Sequence, residues 1–533
     1  MSKQQPDTQF TVGHKQAVFS LIVLMLVTIF TNADRALMTV LIEPLKADIG
    51  LSDSEIGFIF GTAISVFYAL FSIPLGRLAD VGNRKNLVSI GIAACSVMIA
   101  VTASAKSFLS LAACRIGVGA GESSAAPASL SILADCFPIH WRATAMGIFN
   151  CGVYVGSGLG VFFGGYLIDY WAASYPQAEL APFTLKPWQI PLLALGLIGL
   201  CLSPLIAMIK EPQRGLNEGL FVAKEERPLQ EAWLVMKTVI PVVSLMALYR
   251  KAGWVAVKKN LSMLLLLSMV SGLLIYLTGS WSQWVALLFG FYCVFCWVQS
   301  FSLSDNASFQ MIFRCKALVF MFSGLSLFVF LSAAMLTWVA PFFQRSYGMS
   351  ASEVGAIIGM ASIASGLAGT LLGGLLADMG KRFSSKSPFY VMIFSTVVVG
   401  PLLYLMLTAD QVGYASVYYA LYVVVASLWF GIAPAVTSEL VMPRMRGVTS
   451  ALFLICITFI GFSLGPYIVG YISDALVLSG FDKAQALSVS LLSMLTILPI
   501  ALIFLCLGLR HYDQDRLSRI GRAESLGESV QVV

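Results

Sequence analysis

Asp34 and Arg35, and further along Arg115 and Glu122, are ionisable side chains set inside otherwise apolar stretches. A charge near the centre of a bilayer costs roughly 2.5–3.5 kcal/mol on insertion scales, so such a group needs a partner or a wet cavity. A helical rise of about 1.5 Å per residue, counted from the outer flanks Lys46 and Lys106, puts Asp34 roughly 18 Å deep, Arg35 roughly 16 Å, Arg115 roughly 14 Å and Glu122 roughly 24 Å. Asp34 and Arg115 are then nearly level and can pair, and Arg35 is long enough to reach toward Glu122. Arg115 and Glu122, seven apart, share one helix face. Two acids and two bases can neutralise one another. One reading is a static buried salt network, which is weak evidence for stability. The other is a working site. A guanidinium nearby favours the charged acid and desolvation favours the neutral one. An acid that takes up a proton frees its arginine for a bidentate contact with an anion.

The elements that hold these residues must lie in lipid. Of 533 residues, 58% are hydrophobic and 11% charged, against about 25% charged in soluble domains. A soluble fold, a nucleic-acid binder and a disordered chain are thereby excluded. Apolar runs of bilayer-crossing length predict six spans from 16–46 to 188–209 and six more from 317–346 to 485–509, including 107–135 and 412–441. Two further spans, 261–278 and 282–301, are expected as a hairpin broken at Gly279-Ser280. The organisation is a tail at 1–15, a six-helix bundle at 16–210, an insert at 211–316, a second bundle at 317–509 and a polar tail at 510–533. Segment 229–250 reads equally as an interfacial amphipathic helix or a plain linker helix. With alternating spans and the N-terminus inside, only Lys46, Lys106, Lys186, Arg345 and Lys483 of the 33 Lys and Arg fall outside, besides Arg35 and Arg115 within spans. That bias predicts both termini in the cytoplasm of a plasma or bacterial inner membrane. The net charge of +6 is thus a topology signal. Ten cysteines lie singly in apolar segments, and the Cys293/Cys296 pair sits in a charge-free stretch without metal partners. No nucleophile–base pair, metal set or phosphate loop is visible, so neither enzymatic chemistry nor a cofactor is expected.

The chain repeats itself. LSDSEIG at 51–57 matches MSASEVG at 349–355, and GRLAD at 76–80 matches GLLAD at 374–378, both at an offset of 298. SGLGVFFGGYLID at 157–169 echoes FSLGPYIVGYISD at 462–474. Same-direction repeats of six spans predict two halves related by an axis along the membrane normal. Ser52/Glu55 and Ser350/Glu353 have capping-box spacing. Gly156, Gly160 and Gly164 in the fifth span, and Gly461 and Gly465 in the eleventh, permit close helix contact; the fifth and eleventh are expected to meet the eighth and second across the halves. The second half lacks midplane charge, so the cavity is expected to be lopsided. Its far wall would hold Phe328, Phe330, Trp338, Tyr418, Tyr422 and Trp429. A charged head with a long apolar part suits that shape.

GRLADVGNRK at 76–85 resembles the loop signature of the major facilitator superfamily. Its D-x-x-N-R-K form, RIGVGAGES at 115–123, the run at 126–138 and VGSGLG at 155–160 are similar to the spinster branch, as is Asp34-Arg35. The resemblance implies an all-α fold of two six-helix bundles with pseudo-twofold symmetry, and a monomeric secondary active transporter of sphingoid or lysolipid amphiphiles, sphingosine-1-phosphate being the best-known family cargo. It places Asp34, Arg35, Arg115 and Glu122 in the substrate and proton-coupling region. Arg77, Asp80, Arg84 and Lys85 would form a gating loop, with Asp80 directed at the start of the eleventh span. Asp378 is the repeat mate of Asp80, although GKRF follows it, and Glu439 is a further gate candidate. The alternatives are a carrier of small organic anions or drugs using the same arginines, and a nontransporting sensor with the insert as a docking module.

Overall fold

The computed structural model describes residues 12–177, 179, 181–214, 228–442 and 445–526. All regular structure among them is helical, and twelve helices are long and apolar enough to cross a membrane. The first half holds α1 (His14–Val40), the short α2 (Ile42–Ile49), α3 (Asp53–Ala79), α4 (Arg84–Thr102), α5 (Phe108–Glu122), α6 (Ala125–Cys136), α7 (Ile139–Ser174) and α8 (Gln189–Ala207). The insert holds α9 (Pro228–Val239), α10 (Pro241–Thr278), α11 (Trp281–Ser304) and α12 (Asn306–Phe313). The second half holds α13 (Lys316–Tyr347), α14 (Ala351–Lys381), α15 (Ser387–Leu407), α16 (Val412–Ala426), α17 (Ile432–Leu440), α18 (Arg446–Leu478), α19 (Lys483–Leu517) and α20 (Arg519–Ser525).

Three spans expected to be continuous are broken; the first, 16–46, divides into α1 and α2 at Leu41. The run 107–135 divides into α5 and α6 at Ser123-Ser124, and 412–441 divides into α16 and α17 across Ser427–Gly431. Pro127 and Pro434 explain the latter two breaks: each lacks the N–H that would bond to the residue four back, Ser123 or Phe430. Both capping boxes form, at Ser52/Glu55 and Ser350/Glu353. The helices α3 and α18 each carry a π-helical turn, at Phe58–Ala63 and Ile457–Phe462, which the apolar pattern does not foretell.

Helix α7 packs on both α1 and α14, and α18 packs on α3, so the expected cross-half neighbours meet. The glycines assigned to those contacts need correcting. A Cβ on Gly156 would come within 2.3 Å of the Ile29 carbonyl oxygen, and one on Gly160 within 2.3 Å of that of Ala33. That stripe therefore closes α7 onto α1 inside its own half, as Gly461 and Gly465 close α18 onto Val329 and Phe330 of α13. The cross-half contacts use other glycines: Gly158 and Gly165 against α14, and Gly57 and Gly61 against α18. A stripe spaced by four shows that a close face exists, not which neighbour fills it.

In the insert, α9 packs against α3 and the hairpin while Leu229, Trp233 and Leu234 are exposed. Helix α10 bends at Gly253, whose φ is +65°, and the hairpin turns at Gly279, φ +70°, a left-handed conformation natural to glycine. Helix α11 seats Leu287 and Cys293 among Val66 of α3 and Phe459 of α18. Cys296 lies beside the buried Asn260 amide, so the CxxC sits in packing. The polar stretch after residue 509 is helical through most of its length. Tyr512 is fully buried and donates to Glu439; residues 527–533 and 1–11 lie outside the described residues.

Candidate functional site

Helices α1 and α5 bring the four midplane charges together in two pairs. Arg115 Nη2 donates to Asp34 Oδ2 at 2.5 Å and Nη1 to Oδ1 at 3.2 Å, a bidentate fork with both side chains fully buried. Arg35 Nη2 and Nε donate to one oxygen of Glu122, Oε2, at 2.8 and 3.1 Å. Glu122 is 1% exposed and Arg35 35%, so one end of this second pair reaches accessible space. Glu122 is the last residue of α5, at the break that Pro127 imposes, and its Oε1 has no hydrogen-bond partner. The Nε of Arg115 likewise lacks one. The guanidinium of Arg35 lies 5.1 Å from the Tyr68 ring centroid on α3, a cation–π distance. Tyr68 gives no signal in the sequence, because a lone tyrosine in an apolar span carries no charge.

Arg35 and Arg115 line a cavity of about 50 Å³ between the halves. Its polar floor also has Thr39 and Ser65, and the facing wall consists of Leu336, Thr337, Phe462 and Pro466. The lopsided character expected from the sequence is present, but with a different wall. Phe328, Phe330 and Trp338 are buried in the core, and Trp338 donates to the Pro466 carbonyl at 2.9 Å. Tyr422 is buried too.

The loop charges knit each half to itself. Arg84 is fully buried and binds Asp135, Glu211 at 2.7 Å and the Pro212 carbonyl at 2.9 Å. Lys85 donates to the Ala207 carbonyl at 2.9 Å. Glu439 accepts from Lys381 at 2.9 Å and from Tyr512. Asp378 is 80% exposed and 3.7 Å from Lys381. Arg77 lies on α3 and is engaged in an interaction; the side chain of Asp80 is outside the described residues.

At the opposite face, which the charge bias predicts to be the outer one, ion pairs bridge the halves. Arg345 of α13 binds Glu43 of α2 at 2.7 Å and Asp53 of α3 at 2.8 Å, and Asp53 also accepts from Lys46. In the sequence, Arg345 and Lys46 read only as flanking charge. Their partners sit in the other half or across a turn, which spacing does not reveal.

The Major Facilitator Superfamily matches residues 24–312. An MFS-type efflux pump of Mycolicibacterium smegmatis is 24% identical over 470 residues, 87% of this chain and 86% of that protein. Protein spinster of Drosophila melanogaster is 26% identical over 214 residues, 40% of this chain and 33% of that one. Among solved structures, a bacterial homologue of the human lysosomal transporter spinster, inward-facing and unoccupied, superimposes with a TM-score of 0.70 at 21% identity, covering 94% of this chain and 99% of that one. The likeness in structure is one of fold: two helical bundles flanking a central cavity. The matched family, the duplicated bundles and the charged cavity between them agree, and the chain belongs to the major facilitator superfamily, whose members are membrane carriers rather than catalysts.

Proposed function

We propose that the chain is a proton-coupled secondary active transporter of anionic, lipid-like amphiphiles, working by alternating access of its two halves. The observation that carries this reading is the pairing at the cavity. Both arginines that could hold an anionic head are engaged by carboxylates, and the Arg35–Glu122 pair is buried at one end and accessible at the other. A proton on Glu122 removes the charge that holds Arg35, and the freed guanidinium takes the anionic head by a two-point contact. Deprotonation on the other side restores the ion pair and expels the head. The apolar wall of Leu336 and Phe462 faces the site, where a chain can lie. About 50 Å³ holds a few waters, so the cavity marks the seat of the head and not of a whole lipid. Asp34 and Arg115, bidentate and fully buried, form the second exchange pair. The proposed setting is a monomer in a plasma or bacterial inner membrane with both termini cytoplasmic. In proteoliposomes under an imposed pH gradient, Asp34→Asn and Glu122→Gln are each expected to abolish gradient-driven uptake of an anionic lysolipid. Retained uptake in both variants rejects the coupling scheme.

The small size of the cavity, about 50 Å³, favours a second reading, a carrier of small organic anions or drugs using the same arginines. Competition separates the two: lysolipids displace a bound small anion at much lower concentration if the amphiphile reading is right.

A further inference from the structure

The two repeats that the sequence analysis set side by side meet each other in space, at the outer face, and do so twice. In the second half, the motif Gly470-x-x-x-Asp474 on α18 lies against the start of α3. Asp474 accepts from the backbone N–H groups of Asp53 at 2.9 Å and Ser54 at 2.7 Å, and a Cβ on Gly470 would sit 2.2 Å from the Asp53 carbonyl oxygen. In the first half, the motif Gly165-x-x-x-Asp169 on α7 lies against the start of α14. Asp169 accepts from the Ser352 N–H at 2.8 Å, and a Cβ on Gly165 would sit 2.1 Å from the Ala351 carbonyl oxygen. At the repeat offset of 298, Asp53 and Ser54 correspond to Ala351 and Ser352. Each half therefore presents the same glycine and the same carboxylate to the same two residues of the other half.

We infer that these two sites are a duplicated outer latch, in which a carboxylate from one half caps a helix N-terminus of the other and holds the outer face shut. The physics is specific to the closed arrangement. The first N–H groups of a helix have no intrahelical acceptor, and a carboxylate there gains charge-assisted hydrogen bonds together with the helix dipole. The glycines remove the Cβ that would hold the helices apart. The capping boxes leave these amides available: Ser52 and Ser350 accept from the N–H of Glu55 and Glu353, not from Asp53, Ser54 or Ser352. Opening the outer face must break both carboxylate caps, which water then replaces. Asp169 and Asp474 are thus positioning residues for the transport cycle and touch no substrate. The inference rests on alternating access in this superfamily and not on the proposed cargo.

The two latches are unequal in a way the residues explain. Asp53 is also bound through its side chain by Arg345 and by Ser473 Oγ, at 2.8 and 2.7 Å, whereas its repeat mate Ala351 has no polar side chain. The α3–α18 latch is the stronger one.

Amide hydrogen exchange on the full chain in lipid nanodiscs, without ligand, tests this. Asp474→Ala is expected to speed exchange at the far latch, in the segment 349–355, about tenfold, because one lost charge-assisted contact shifts an opening equilibrium by about that factor. Asp169→Ala is expected to speed exchange in the segment 51–57 by a smaller factor. Asp474→Asn, which keeps one acceptor oxygen but no charge, falls between wild type and Asp474→Ala. Segments in the middle of α4 and α15 should stay protected, showing that the fold is intact. If the alanine variants do not fold, Asp474→Asn and Asp169→Asn carry the same comparison. Faster exchange only at the amides that lost their own acceptor, with the far latch unchanged, overturns the inference. Such a result leaves the reading of the cavity untouched, while failed uptake with an intact far-latch response points to the cargo reading instead.

Discussion

Replacing Glu122 by glutamine probes the cavity most directly. Wild-type Arg35 gives two hydrogen bonds to Glu122 Oε2, and an anionic head has to compete with that carboxylate. Removing one member of a fully buried ion pair costs about 3–5 kcal/mol. Arg35 is 35% exposed and can turn to water, and the new amide oxygen still accepts one bond, so the competition removed is nearer about 1–2 kcal/mol. At 1.4 kcal/mol per factor of ten, the variant should bind an anionic amphiphile with a fixed charge, such as lysophosphatidylglycerol, about tenfold more tightly than wild type at neutral pH. An uncharged monoacylglycerol should bind both proteins alike, since only the head competes. The sign with pH follows from the same pair. Acid protonates Glu122 and releases Arg35, so wild-type binding tightens as pH falls; glutamine does not titrate, so the variant's affinity should be nearly flat. Intrinsic tryptophan fluorescence, followed against lysophosphatidylglycerol from mildly acidic to mildly alkaline buffer, reads both effects. A variant that binds no more tightly than wild type and still tightens in acid would falsify the exchange of head for carboxylate.

Two further substitutions test the packing. Gly156→Leu drives a side chain into the Ile29 backbone, where even a Cβ would approach within 2.3 Å. It should abolish folded protein on size-exclusion chromatography, whereas Gly147→Ala, with open space around it, should be neutral or slightly stabilising. Gln283 of α11 is fully buried; its oxygen accepts from Thr62 at 2.7 Å, but its amide nitrogen has no partner. Because Thr62 keeps the Ser463 carbonyl at 3.0 Å, Gln283→Leu should change thermal stability by less than about 1 kcal/mol, and a large loss would show that the hairpin is pinned by that amide.

The sequence made the charged site legible because charge in an apolar run is a rare signal, and because a rise per residue turns a position into a depth. The levels of Asp34 and Arg115 follow from counting alone, and so does the reach of Arg35 toward Glu122. What counting misses is whatever depends on a single backbone group or on the identity of a neighbour. Hydropathy over 107–135 is blind to the missing N–H of Pro127, yet that break ends α5 at Glu122 and sets the carboxylate at the buried end of the pair. The π turns of α3 and α18 alter the ladder without altering composition. Phe328 and Trp338 read as cavity wall because aromatic content says nothing of facing; the wall is Leu336 and Thr337 of the same helix together with Phe462 of α18.

The duplication is the instructive case between these extremes. Asp169 and Asp474 ended matching strings in the sequence, and LSDSEIG and MSASEVG opened matching helices, but nothing in one dimension joins the first kind of repeat to the second. The fold joins them because a parallel pair of halves related by one axis must present the same surface twice. A contact made by the fifth span of one half with the second span of the other is then made again with the halves exchanged. Selection can act on one such contact and leave its copy to drift, which is how Asp53 pairs with Arg345 while Ala351 carries no group that could. A duplicated chain thus keeps the geometry of a latch in pairs and sets its strength singly, and the exchange experiment distinguishes those two properties by comparing Asp474→Ala with Asp169→Ala.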